Sequence, residues 1–171
     1  MESAKGAATR RQTAKALIDT SGGVLETAPV LREFAVILFV YGTLRAGSKN
    51  EQAERLAKSA RHIGVATISG RLYRVAHYPA LAPPQSEKDR VKGDVFEGVT
   101  AEMLEWLDEY EGEEYSRQLA EVTMEDGRIL TAYFYSYALP TSRLEWIPSG
   151  DWYNVMQNPL PREGVFINKI N

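Results

Sequence analysis

The chain has no cysteine and only two histidines, His62 and His77, among its 171 residues. That excludes disulfides, thiolate metal sites and a cysteine nucleophile, and two histidines so far apart in sequence do not suggest a typical histidine metal cluster. Chemistry here must run on carboxylates, hydroxyls, arginines and backbone amides. Two stretches gather such groups. The first is Phe39-Val40-Tyr41-Gly42-Thr43-Leu44-Arg45-Ala46-Gly47-Ser48, in which glycines let the backbone turn tightly and expose its amides. Such a loop, running from a strand into a helix start, is a natural seat for an anion. The second is Leu107-Asp108-Glu109-Tyr110-Glu111-Gly112, followed by Tyr115-Ser116-Arg117. Acidic residues at a helix C-terminus oppose the helix dipole. Asp108, Glu109, Glu113 and Glu114 read as a solvated charge cluster. Glu111 differs, because it sits between an apolar helix and an aromatic-rich strand, where it can face inward.

The elements that must position these groups follow from the pattern around them. Ala35-Val36-Ile37-Leu38 has the length and branching of a buried strand. Ser48-Lys49-Asn50-Glu51 is a capping-box pattern that places a helix cap at Ser48, and Glu51 to Ala60 predicts a helix with Ala53, Leu56, Ala57 and Ala60 on one face. His62 to Val75 predicts one long strand with bends at Gly64 and Gly70. The prolines of residues 77–84 predict irregular structure, and Gln85 to Arg90 a polar loop. Val91 to Val99 predicts a strand. Thr100 caps a helix that turns Met103, Leu104 and Leu107 inward and stops at Gly112. Tyr115–Met124 and Arg128–Tyr137 form a hairpin about Asp126-Gly127. Leu139-Pro140 breaks the strand, and the rest, with Trp146, Trp152 and Tyr153, reads as loops and short pieces wrapping the core. The sum is one α+β domain around a curled, mostly antiparallel sheet.

Residues 1–33, rich in Ala, Thr, Ser and Gly with basic residues near the start, predict a flexible N-terminal extension, with a short helix near Thr13 to Ile18 as one option. Arg10-Arg11 superficially matches an export signal, but Asp19 and Gly22-Gly23 interrupt the apolar stretch that must follow. The few acids before Asp19 also allow a transit peptide; the expected location is the cytoplasm. Residues 34–140 form the expected domain, and 141–171 a segment wrapping it. A formal net charge of −3 suggests no whole-chain basic face for nucleic acid. No apolar run approaches membrane-spanning length. Neither nucleic acid nor membrane is an expected partner, and a monomer is favoured.

Nucleotide binding fails on inspection. Gly42 to Lys49 has the glycine spacing of a phosphate loop, but Ser48 and Lys49 are exchanged against the required order. The alternating strand–helix pattern of a doubly wound domain is missing as well. Taken alone, the loop is also an ordinary strand-to-helix connection.

Five pieces occur in order: Tyr41-Gly42-Thr43-Leu44, Tyr78-Pro79-Ala80, Gly93-Asp94-Val95-Phe96, Leu107 to Gly112, and Tyr115-Ser116-Arg117. In this order the chain resembles the gamma-glutamylcyclotransferase-like superfamily, which includes gamma-glutamylamine cyclotransferases and plant AIG2-like proteins. The resemblance spans about Phe34 to Leu139. It implies a small barrel-like sheet flanked by short helices, with the loop beside a glutamate. It implies that loop amides of Gly42, Thr43 and Leu44 hold a substrate α-carboxylate, that Glu111 is the catalytic acid/base, and that Tyr115 lines the pocket. Tyr41 fits the pocket or the core. Arg45, Tyr78 and Arg117 are further candidates for substrate contact, with Arg117 equally suited to a structural ion pair.

The implied reaction cleaves a gamma-glutamyl amide by attack of the substrate's own α-amine on its γ-carbonyl, giving 5-oxoproline and a free amine or amino acid. Five-membered ring closure supplies much of the proximity advantage. One carboxylate of raised pKa can take the proton and later deliver it. The implied enzyme, of lyase or acyltransferase type, acts on a small gamma-glutamyl molecule and calls for no metal and no cofactor. The alternatives are a non-catalytic or regulatory carboxylate binder on the same fold, a deprotecting enzyme of a biosynthetic route, and a protein-interaction module using the basic tail and a Trp146/Trp152 surface. The outer wall of the pocket is expected from residues 77–89 and the C-terminal part.

Overall fold

The computed structural model describes residues 36–157; the expected N-terminal extension lies outside them, as do the last residues of the expected wrapping segment. Five strands close a barrel in the order β1 (Val36–Val40), β5 (Arg90–Val99), β2 (Arg61–Ser69), β6 (Tyr115–Met124) and β7 (Ile129–Tyr137). All of its pairings are antiparallel except the closing one, where β1 runs parallel to β7 at Leu38 and Tyr133. Helices α1 (Glu51–Ser59), α2 (Ala101–Glu111) and α3 (Trp152–Gln157) complete the α+β architecture that the sequence predicts.

β1 is apolar throughout because it is buried on both faces. Phe39 turns into the barrel with Ala66, Ile68, Val95, Val122 and Phe134. Leu38 and Val40 turn outward, under Leu56 of α1 and Met103, Leu104 and Leu107 of α2. The outer layer therefore fixes both helices against the strand that feeds the loop.

Local rules explain most boundaries, and there are five departures. α1 is capped by Asn50, whose Oδ1 accepts from the Ala53 N–H at 2.9 Å, and not by Ser48. The Ser48 N–H is tied back to the Arg45 carbonyl at 3.0 Å, and Gly47 adopts φ +85°, so the loop runs two residues further before the helix starts. Ala57 of the expected apolar face is exposed, leaving Ala53 and Leu56 as its buried members. The long strand after α1 is cut at Gly70, and β3 (Arg71–Val75) leaves the barrel. Gly64 lies at a register shift against β5.

The stretch expected to be irregular instead holds a strand, β4 (Tyr78–Ala82), paired antiparallel with β3. Pro79 fits because β4 is an edge strand of the small sheet β4-β3-β8, where a missing N–H costs no ladder bond. β8 (Glu145–Trp146) pairs on the other side of β3. Finally, Trp152 is 2% exposed and packs into the barrel core with Ile147, so the expected Trp146/Trp152 surface does not form; only Trp146 is exposed. At the other helix the expectations hold: the Thr100 hydroxyl accepts from the Met103 N–H, and Gly112 ends α2 at φ +68°. Among the described residues no helix is long and apolar enough to cross a membrane.

Candidate active site

A narrow cleft opens where the end of β1, the end of α2, the start of β6 and the edge strand β4 converge. Its walls are Phe39 to Leu44 on one side, with Pro79, Glu111, Tyr115 and Tyr135 completing them. The cavity volume is about 30 Å³, enough to seat a water or two. A cavity of that size does not enclose a nucleotide.

The loop is held by its carbonyls. Gly42 C=O accepts from the Arg45 N–H at 3.1 Å, Arg45 C=O from the Ser48 N–H, Thr43 C=O from the Asn50 side-chain amide, and Ala46 C=O from the Tyr153 hydroxyl. The N–H groups of Gly42, Thr43 and Leu44 have no acceptor among the described residues. Three uncommitted donors thus belong to cleft-lining residues. Gly42 is required for space: an added Cβ would lie 2.6 Å from Pro79 Cγ. Thr43 Oγ1 is 3.2 Å from the Tyr110 hydroxyl, tying the loop to the last turn of α2.

Glu111 is the final residue of α2 and is partly buried. Burial pushes its carboxyl up to about 7, and among the described residues no neighbouring cation offsets the effect. The phenols beside it respond. Tyr41 and Tyr115 are raised first by burial and next by the Glu111 charge. Tyr135 is raised by burial first and then by its bond to Asp108, with a smaller push from Glu111. The Tyr41 hydroxyl donates to the Tyr135 carbonyl, the Tyr115 hydroxyl to the Pro79 carbonyl and the Tyr135 hydroxyl to Asp108 Oδ1, each at 2.7 Å. Tyr41 belongs both to the barrel core and to the cleft wall.

The structure brings Tyr41, Gly42, Thr43, Leu44, Glu111 and Tyr115 together on one cleft. It does not bring Arg45, Tyr78 or Arg117 there. Arg45 is 3% exposed, pairs through Nε with Asp94 Oδ2 and through Nη1 with Asp151 Oδ1, both at 2.7 Å, and stacks over the Tyr153 ring. Tyr78 donates to Glu114 at 3.0 Å. Arg117 pairs with Asp108 at 3.1 Å in an adjoining groove that shares Tyr115 and Tyr135 with the cleft. Sequence reasoning missed Tyr135 as a wall residue. Pro79 was signalled by the Tyr-Pro-Ala piece, within the expected outer wall. Tyr135 carries no local signal, since only closure of the barrel carries β7 to β1. Among the described residues no group of three or more acidic or histidine side chains is arranged to hold a metal ion.

A profile of the Gamma-glutamyl cyclotransferase, AIG2-like family matches residues 38–154. The chain belongs to this family. The Gamma-glutamylcyclotransferase family protein YtfP of Escherichia coli is 33% identical over 118 residues, covering 67% of this chain and 94% of that one. YkqA from Bacillus subtilis superposes with a TM-score of 0.59 at 27% identity, over 72% of this chain and 41% of the longer YkqA chain. An AIG2-like protein from Mus musculus, at 24% identity and a TM-score of 0.56, covers 77% of this chain and 99% of its own, and shares the fold. Membership of the gamma-glutamyl cyclotransferase family supports a cyclotransferase-type activity, and the cleft is where its loop and its buried glutamate meet.

Proposed function

We infer that the protein cleaves a gamma-glutamyl amide by intramolecular cyclisation. The substrate α-amine attacks the γ-carbonyl carbon, a C–N bond closes the five-membered ring, and the amide C–N bond to the leaving amine breaks. The amides of Gly42, Thr43 and Leu44 hold the α-carboxylate and thereby aim the amine at Glu111. Glu111 takes a proton from the attacking nitrogen and returns it to the departing one. The nucleophile belongs to the substrate, so Glu111 has only protons to move.

The observation that carries this reading is a partly buried carboxylate of raised pKa on the same cleft as three amide donors, the carboxylate without a cationic partner and the donors without acceptors among the described residues. A pKa near the working pH suits a group that must both accept and give a proton. If carboxylate binding were the whole task, a buried anion beside the carboxylate site would oppose it.

A panel of gamma-glutamyl amines and gamma-glutamyl peptides, scored for 5-oxoproline release, tests the reading and finds the leaving group. Turnover of at least one member is expected, with Glu111→Gln losing about a thousandfold or more in kcat while keeping its fold. Should no member be turned over while 5-oxoproline still binds, the chain is a carboxylate-binding relative instead of an enzyme.

A further inference from the structure

A trans peptide is planar, so the carbonyl of one residue and the N–H of the next point to opposite sides of it. Whatever holds the carbonyl therefore aims the following N–H. In the loop after β1, the Gly42 carbonyl is held by the Arg45 N–H at 3.1 Å, a turn the backbone closes on its own. The Ala46 carbonyl is held by the Tyr153 hydroxyl, but the N–H beyond it belongs to Gly47, which does not line the cleft. The Thr43 carbonyl is different. A side chain, Asn50, donates to it through Nδ2. The N–H on the far side of that peptide is the one of Leu44, a cleft residue whose amide has no acceptor among the described residues.

Asn50 is also the cap of α1. Its Oδ1 accepts from the Ala53 N–H at 2.9 Å, and its backbone carbonyl accepts from the Glu54 N–H at 3.1 Å. Only one orientation of the side-chain amide serves both partners, since a flip would set donor against donor at Ala53 and acceptor against acceptor at Thr43. The cap alone does not call for asparagine, because aspartate and serine cap a helix about as well. The second duty does. An ionised aspartate has no proton to give, and a serine has one oxygen where two separate atoms are needed. We propose that Asn50 is a positioning residue: its Nδ2 fixes the Thr43–Leu44 peptide so that the Leu44 N–H is presented to the anionic end of the ligand, while its Oδ1 pins that peptide to the first turn of α1. The proposal rests on the gamma-glutamyl reading of the cleft and adds the residue that sets one of its donors. The anchor itself is firm, because Leu56 of α1 is fully buried against Leu38 and Val40 of β1. Barrel packing thus reaches the Leu44 amide through one side chain.

The test separates the cap from the tether. Asn50→Ser and Asn50→Asp both keep an oxygen for the Ala53 N–H, and both remove the donor to Thr43. Their thermal unfolding midpoints should stay within about 3 °C of the wild type. Calorimetry with 5-oxoproline should show Asn50→Ser binding about tenfold more weakly, the worth of one hydrogen bond to a charged group. Asn50→Asp should lose more, because its second carboxylate oxygen faces the Thr43 carbonyl and repels it. With a gamma-glutamyl amide that the wild type turns over, Asn50→Ser should raise KM about tenfold and leave kcat within about twofold, since the contact is made equally before and during reaction. Unchanged affinity in both variants overturns the inference and leaves the gamma-glutamyl reading standing. So does a loss of affinity matched by a fall in the unfolding midpoint, or by failure of both variants to fold, because Asn50 is then a cap alone. A wild type that neither binds 5-oxoproline nor turns over any amide overturns both readings together.

Discussion

Arg45 and Glu111 are both drawn out of water, and the protein treats them in opposite ways. Arg45 is matched on two sides by Asp94 and Asp151, while His62 lies 3.0 Å from the second Asp94 oxygen. Every charge in that cluster has a partner. Among the described residues Glu111 has none that offsets its burial, and its carboxyl rises to about 7. A buried charge with partners fixes structure; one without them titrates where chemistry can use it. The contrast separates the framework of the loop from the cleft that the loop lines, although Arg45 and Leu44 are neighbours in sequence.

The contrast can be broken at several points. The largest expected effect is at Arg45. Arg45→Met keeps the length of the side chain but leaves Asp94 and Asp151 without their cation, and should cost about 3 to 5 kcal/mol in urea unfolding. A loss under about 1 kcal/mol would mean that the cluster behaves as a surface pair.

Glu111 should move the other way. Its carboxyl rises from the ordinary 4.5 to about 7 in the folded protein. Between those pH values the native state holds a proton that the unfolded state has released, so stability falls as pH rises through this window. The full penalty, at most about 3 kcal/mol, is present above it. Glu111→Gln should therefore be more stable than the wild type at pH 8 and equal to it at pH 4, by thermal or denaturant unfolding. Identical pH–stability curves would show that Glu111 is not held against its own solvation. With Glu111 as the proposed base, kcat/KM should show an acid limb near pH 7, since that base must be free of its proton.

Gly42→Ala is expected to have the smallest effect on stability, about 1 to 2 kcal/mol from overpacking against Pro79. It should raise KM more than it lowers kcat, because in the proposed reaction the displaced amides orient the substrate and do not move its proton. A kcat loss with unchanged KM would put the loop in a different role.

Much of the fold was legible because local rules and tertiary demands agree. Tyr115–Met124, the Asp126-Gly127 turn and the Thr100 to Gly112 helix each carry a period, a cap or a turn residue that settles their bounds. Where a residue could satisfy two rules, the sequence misled. Pro79 looked like a strand breaker, and an edge position made it harmless. Ser48 looked like a cap, but its N–H was claimed by Arg45 and Asn50 took the position. Trp152 looked like an exposed aromatic of a wrapping segment, and it fills the barrel. At the cleft, the loop and Glu111 could be picked out because each is locally odd: glycines behind an apolar strand, an acid between an apolar helix and aromatics. Tyr135 is not odd in any local sense. Its place depends on which strand closes the barrel, and no period in one strand encodes that.

That closure also sets a schedule for the chain as it is made. The first barrel strand has its parallel partner in the last, through Leu38 and Tyr133. During synthesis the loop after β1 leaves the ribosome long before the strand that completes its cleft. Pairings so distant in sequence form late and slowly, and until then the barrel is open and its inner residues, among them Phe39, Val95 and Val122, are uncovered, a hazard for association between nascent chains. A message cut short between α2 and β7 would yield the loop and the glutamate without the strand that closes the barrel around their cleft.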